Sequence, residues 1–167
     1  MNIVLLEPEI PDNTGNIGRT CVATNTPLHL IRPFGFIINE RGLKRAGMDY
    51  WDRLSVSEYI NYSDFISHNK TATVWYATTK AGQCYTDVKY GPDDFIMFGK
   101  ESAGIPEEIL KENRSRCIRI PMYEDERSLN LANSVAVILY EALRQNGFEG
   151  LKKEGQLKHY PPSPLQL

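Results

Sequence analysis

The chain has 167 residues, 41% hydrophobic and 24% charged, with a net charge of −2; this is the size and balance of a single soluble globular domain. Near-neutral charge excludes a protein that coats nucleic acid by bulk electrostatics. No run approaches the roughly 18 apolar residues of a membrane span, and the short apolar start (Ile3, Val4, Leu5, Leu6) has no basic flank and is not a secretory signal.

Three cysteines, Cys21, Cys84 and Cys117, are far apart and odd in number, and three histidines, His29, His68 and His159, are scattered. Neither a disulfide framework nor a zinc site is expected; the cysteines read as reduced, buried thiols of a cytosolic protein. Charge is locally uneven, with Arg41, Lys44, Arg45 and Arg53 in one stretch and Arg114, Arg116 and Arg119 in another. Either suits phosphate, and either is also compatible with ordinary solvated surface.

In chain order, short apolar runs bounded by Pro, Gly or polar residues predict buried strands at 3–6, 28–31, 74–77, 95–98 and 117–120. Helices are expected near 14–24, 57–67, 106–113 and 129–146. The alternation predicts an α/β domain with a mainly parallel sheet. In the last helix Leu131, Val135, Ile138, Leu139, Ala142 and Leu143 share one face, with Ser128 placed to cap its start and Gly147 to end it. Pro106, Glu107 and Glu108 suit a helix N-terminus. Residues 1–150 read as one domain and 151–167 as a polar, Pro-containing mobile tail.

Three strand-end segments look chemical. Glu7-Pro8-Glu9-Ile10-Pro11-Asp12-Asn13-Thr14-Gly15-Asn16-Ile17-Gly18-Arg19 leads from the first strand into a helix. Asp12 or Asn13 can cap that helix, and Gly15 and Gly18 suggest that a backbone or ligand comes close. Phe98-Gly99-Lys100-Glu101-Ser102-Ala103-Gly104-Ile105-Pro106 is a glycine-bearing turn at the carboxyl end of a strand, where α/β proteins bind ligands; Gly99 would let a ligand lie against bare backbone. Neither segment carries a dinucleotide or phosphate-loop fingerprint. The third, Ile118-Arg119-Ile120-Pro121-Met122 through Ser128-Leu129-Asn130-Leu131-Ala132-Asn133-Ser134, puts polar residues at the start of an apolar helix. Extended capping and contact with a ligand or second subunit both account for them.

Together these segments resemble the SPOUT superfamily of methyltransferases, in its TrmH-like branch, over residues 2 to about 150. Within it the likeness is greatest to enzymes that methylate the ribose 2′-hydroxyl of cytidine or uridine 34 of tRNA. The resemblance implies a sheet with helices on both faces and a C-terminal trefoil knot, a topology no sequence pattern would suggest. It implies S-adenosylmethionine (SAM) as cofactor, S-adenosylhomocysteine (SAH) as product and no metal. The cofactor positions it implies are Ala77, Gly99, Ile120, Met122, Ser128 and Leu129; the catalytic ones are Asn13, Arg19, Glu101, Ser128 and Asn130.

A guanidinium does not give up its proton in proteins, so Arg19 is expected to bind the phosphate beside the target ribose and stabilise developing alkoxide charge rather than act as base. The resemblance also implies a cytoplasmic homodimer in which Arg19 completes the partner's site. The expected ligand is tRNA, not DNA or membrane, with Arg41, Lys44, Arg45 and Arg114 or Arg116 as further phosphate contacts. A ribosomal RNA 2′-O-methyltransferase and a non-catalytic RNA-binding dimer are the alternatives.

Overall fold

In the computed structural model, which describes residues 1–36 and 51–159, six strands form one sheet in the order β3-β2-β1-β5-β4-β6. The strands are β1 (Asn2–Leu6), β2 (Leu28–Ile31), β3 (Val56–Tyr59), β4 (Val74–Ala77), β5 (Phe95–Phe98) and β6 (Cys117–Ile118). The helices are α1 (Pro11–Thr24), α2 (Tyr62–His68), α3 (Glu107–Glu112) and α4 (Leu131–Gln145). Every strand pair is parallel, and the expected α/β class with helices on both faces is observed.

Side-chain alternation splits each strand between two cores. On one face Ile3, Leu5, Leu28, Leu30, Ile96 and Phe98 meet Ile17 and Cys21 of α1 and Val135, Ile138, Leu139 and Ala142 of α4. On the other, Val4, Leu6, Ile31, Tyr76 and Met97 meet Phe65 of α2 and Leu110 of α3. Covering both faces is what strands as uniformly apolar as β1, β2 and β5 require. β1 and β5 pair with Leu5 opposite Phe98, so the carboxyl ends of the central strands lie side by side. The chain runs outward from β1 to β3 and returns through β4 and β5, so this is also where the strand order reverses.

Several expected boundaries move. The helix expected at 57–67 is a strand followed by a shorter helix. Val56–Tyr59 pairs with β2 at the sheet edge, leaving Ser57 and Glu58 exposed, and Asn61 then caps α2 by accepting from Asp64 N at 2.9 Å. α1 starts at Pro11 rather than 14, with Pro in the first turn and no side-chain cap; Asn13 lies buried inside the helix. Pro106 occupies the N-cap of α3 rather than its first turn. Asn130, not Ser128, caps α4. Gly147, at φ 69, closes α4 as expected, with Phe148 N donating to Leu143 O at 2.8 Å.

The close neighbours of Gly18 are Trp51 and Leu54 of the same chain, whose atoms would lie 3.1–3.2 Å from an added Cβ. Among the cysteines only Cys21 and Cys117 are buried; Cys84 is partly exposed, and all three are free.

The fifth expected strand pairs with β4 only as far as Ile118, and the chain there is gripped from both sides. Thr78 N donates to Ile118 O on the β4 side, while Arg119 N donates to Gln83 O and Tyr85 N to Arg119 O on the other. The same 78–94 connection holds the end of α4: Gln145 and Asn146 donate to Val88 O and Tyr90 O, and Tyr90 N donates to Gln145.

Candidate active site

A cleft of about 390 Å³ opens at the carboxyl ends of β4, β5 and β6, within the usual size of small-molecule sites. Each strand contributes because its following loop turns across the sheet edge there. Ala77 and Thr78 follow β4; Gly99, Glu101, Ser102 and Ile105 follow β5; Ile120 and Met122 follow β6; Ser128 and Leu129 precede α4. Ala77, Gly99, Ile120, Met122, Ser128 and Leu129, expected to contact one cofactor, thus line one cleft. Thr78, Lys80, Ser102 and Arg127 also line it; nothing in their residue types or spacing singled them out.

Gly99 lines the cleft, and its missing side chain also meets a need of the loop itself. It is buried, and a Cβ there would overlap the Gly104 carbonyl and the Ile105 nitrogen. Its bare face therefore receives the chain's own backbone, folding the 99–105 loop back on itself, with Gly104 N donating to Lys100 O at 2.8 Å.

Glu101 is the hub of a polar network beside the cleft. Its carboxylate accepts from Glu9 N (2.9 Å), Ile10 N (3.3 Å) and Asn13 Nδ2 (2.9 Å). Asn13 Oδ1 in turn accepts from Asn130 Nδ2 at 2.9 Å, and Asn130 Oδ1 accepts from Ala132 N and Asn133 N at the start of α4. Three residues far apart in sequence are thereby joined, and each amide's orientation is fixed by its partners. Glu101 is held as an acceptor and Asn13 as a relay, while Asn130 both caps and positions. Asn130→Ala should cost about 1 kcal/mol, lowering Tm by roughly 2–4 °C. Asn130→Asp should keep most of the cap while setting an oxygen against Asn13 Oδ1; thermal unfolding of both variants separates the two functions.

Arg19 is exposed on α1 and is not among the residues lining the cleft. It lies six residues beyond Asn13, roughly 9 Å along the helix axis. Arg114 sits in a 3-10 turn, Arg114–Arg116, and lines a second groove with Lys111 that shares Thr78 and Lys80 with the cleft. Arg41, Lys44 and Arg45 lie outside the described residues. Among the described residues no cluster of three or more His, Cys, Asp or Glu is placed to hold a metal ion, and no helix is long and apolar enough to cross a membrane.

The profile of the SpoU rRNA Methylase family matches residues 1–140. The tRNA (cytidine(34)-2′-O)-methyltransferase of Escherichia coli K12 is 44% identical over 151 residues, covering 90% of this chain and 96% of that protein. A solved structure described as giving insights into the 2-OH methylation of C/U34 on tRNA superposes with a TM-score of 0.81 at 40% identity, covering 87% of this chain and 95% of the other. An AdoMet-bound rRNA methyltransferase from Sinorhizobium meliloti superposes with a TM-score of 0.74 at 26% identity, covering 86% of this chain and 55% of that one.

Proposed function

We propose, from the premise that this chain belongs to the SpoU rRNA Methylase family, that it is a SAM-dependent methyltransferase acting on the 2′-hydroxyl of cytidine or uridine 34 of tRNA. The observation that carries the proposal is the convergence of Ala77, Gly99, Ile120, Met122, Ser128 and Leu129 on one cleft beside the Glu101–Asn13–Asn130 network. Relatives similar in length and sequence, including the one from E. coli, are named as tRNA (cytidine(34)-2′-O)-methyltransferases, which favours tRNA over ribosomal RNA.

The cleft fits the cofactor. Its aliphatic wall, formed by Ile105, Ile118, Ile120, Leu129 and Ile138, suits the adenine ring, and the exposed backbone of the three loops supplies donors and acceptors for ribose and amino acid. When bound, SAM supplies an electrophilic methyl group on a sulfonium. The chain's own residues do the rest. Ser128, on the cleft wall, orients the incoming ribose. Asn13, held by Glu101 and Asn130, fixes the start of α1. Arg19 clamps the phosphate next to the target ribose and stabilises the oxygen as its proton leaves to bulk water and negative charge develops on it. In-line alignment of oxygen and methyl supplies much of the remaining acceleration.

Arg19 is not among the residues lining its own chain's cleft, and the reading places it in the cleft of a second copy, in a homodimer formed through α1 and α4. The exposed Val137 (38%) and Tyr140 (48%) on α4 support such an interface. The double-sided grip on residues 118–119 and on the end of α4 supports a C-terminal trefoil knot, with the 78–94 connection as the encircling loop. Residues 1–150 form the methyltransferase domain and the polar tail lies outside it. Arg41, Lys44, Arg45 and Arg114 bind tRNA phosphates, and the enzyme works in the cytoplasm.

The test is to incubate the protein and labelled SAM with tRNA lacking its modifications and to map the methylated ribose. Methylation at nucleotide 34 is expected. Transfer to ribosomal RNA, with none to any tRNA, would overturn the reading.

A further inference from the structure

Glu9 and Ser102 belong to none of the roles assigned above, yet they close a second bond set parallel to the Glu101 network. Glu9 Oε2 accepts from Ser102 N at 2.9 Å, and Glu9 Oε1 from Ser102 Oγ at 2.8 Å. The exchange is reciprocal. The side chain of Glu101, from the 99–105 loop, grips the backbone of Glu9 and Ile10, while the side chain of Glu9 grips the tip of that loop. Lys100 Nζ to Glu7 Oε2, at 3.1 Å, adds a third tie between the same two segments.

Glu7 holds a left-handed backbone, φ 53, a conformation that costs a residue with a Cβ roughly 1–2 kcal/mol. It turns the chain directly after β1, and the side chains of Glu7 and Glu9 both meet the loop.

We infer that Glu9 and Ser102 form a positioning clamp that fixes the cofactor-cleft loop against the start of the arginine-bearing helix, so that cofactor affinity depends on a carboxylate that does not line the cleft. The inference rests on the reading of the cleft as a SAM site. Ser102 lines the cleft and Glu9 does not, so Glu9 acts through Ser102. Ser102 is exposed at the loop tip and Glu9 is partly exposed opposite it, and bonds this open to solvent add little to global stability. Their effect is local, on where residues 99–105 stand. Hydrogen bonds from Ser102 hold the Glu9 carboxyl below its ordinary range. The clamp is therefore present at neutral pH and lost only as pH falls through that lowered value.

The test measures SAH binding to the full chain by calorimetry, together with KM for SAM, kcat on tRNA, and Tm. The variants are Glu9→Gln, Ser102→Ala and the double variant. Asn61→Ala, which removes the cap of the distant α2, is the reference for a purely structural loss. Each single variant should weaken SAH binding by about 3–10-fold, the range for a solvent-screened bond to a charged group. KM for SAM should rise in parallel, with Tm close to wild type, and the double variant should be no worse than the worse single one, as for a coupled pair. Unchanged SAH affinity in both single variants would overturn the clamp, as would losses no larger than that of Asn61→Ala. If Glu9→Gln fails to fold, Ser102→Ala, which removes a single hydroxyl, carries the same test. Absence of SAH binding by the wild-type chain would overturn the methyltransferase reading itself, an outcome distinct from a wild type that binds and variants that bind equally well.

Discussion

Arg19→Ala is expected to lower kcat on tRNA by about 10²–10³-fold, the usual cost of deleting a donor aimed at developing negative charge, while SAH affinity stays close to wild type. The separation follows from placement. The exposed side chain is on α1, whereas the cleft is built from the loops after β4, β5 and β6 and the approach to α4. Arg19→Lys should fall between the two, since it keeps the charge but loses the planar fork that grips phosphate. Single-turnover kinetics with SAH calorimetry on the same preparations checks both halves. A variant that loses SAH binding along with turnover would show that Arg19 holds the cofactor instead. The proposed dimer, in which Arg19 completes the partner's cleft, has a further consequence, complementation: mixing Arg19→Ala chains with chains defective in the cleft should restore activity, because a heterodimer would own one intact site.

Gly99→Ala supplies such a cleft-defective chain and should have the largest effect on cofactor binding. A methyl group there would overlap the Gly104 carbonyl and Ile105 nitrogen, and main-chain atoms cannot rotate away as a side chain does. The 99–105 loop must open. Stability should fall by about 2–3 kcal/mol, in the range of backbone-strain substitutions, lowering Tm by roughly 5–10 °C. SAH affinity should fall roughly tenfold or more, as misplacement by about 1 Å is enough to do. Gly104→Ala is the control: its φ of 71 disfavours a side chain, but the space beside it is open. It should cost only about 1–2 kcal/mol. Equal losses in the two variants would mean that backbone conformation, not the collision at Gly99, governs the loop.

The central fold was legible because the signals there are local and redundant. The apolar runs at Leu28–Ile31, Val74–Ala77 and Phe95–Phe98 have boundaries that Pro, Gly and polar neighbours set on their own. The face of α4 was legible because Val135, Ile138, Leu139, Ala142 and Leu143 repeat at helical spacing and are all buried. β3 was not, because an edge strand packs on only part of its surface: Val56-Ser57-Glu58-Tyr59 carries two exposed polar residues and reads like the flank of the helix beyond it.

At the site, the loops that line the cleft were reachable from the three motifs together with the family likeness. The partners of the site residues were not. Asn13 looks like a cap and is instead a buried relay between Glu101 and Asn130, residues 88 and 117 positions away. The glycine at 99 announces that something comes close, but not that the visitor is the loop's own backbone. Spacing along a chain carries no record of contacts that close across the sheet.

The pairing of β1 with β5 also governs how the chain is made. β1 is central in the finished sheet, yet one of its edges stays bare while the next 90 or so residues are synthesised, for roughly 5–20 s at ordinary elongation rates. Through that interval an apolar strand with free N–H and C=O groups is a template for mispairing with another nascent chain. A newborn copy is thus at its most vulnerable before Phe95–Phe98 emerges. Substitutions that slow β5 from docking should therefore show up as lost soluble yield in cells, even where the purified, folded protein is nearly as stable as the wild type.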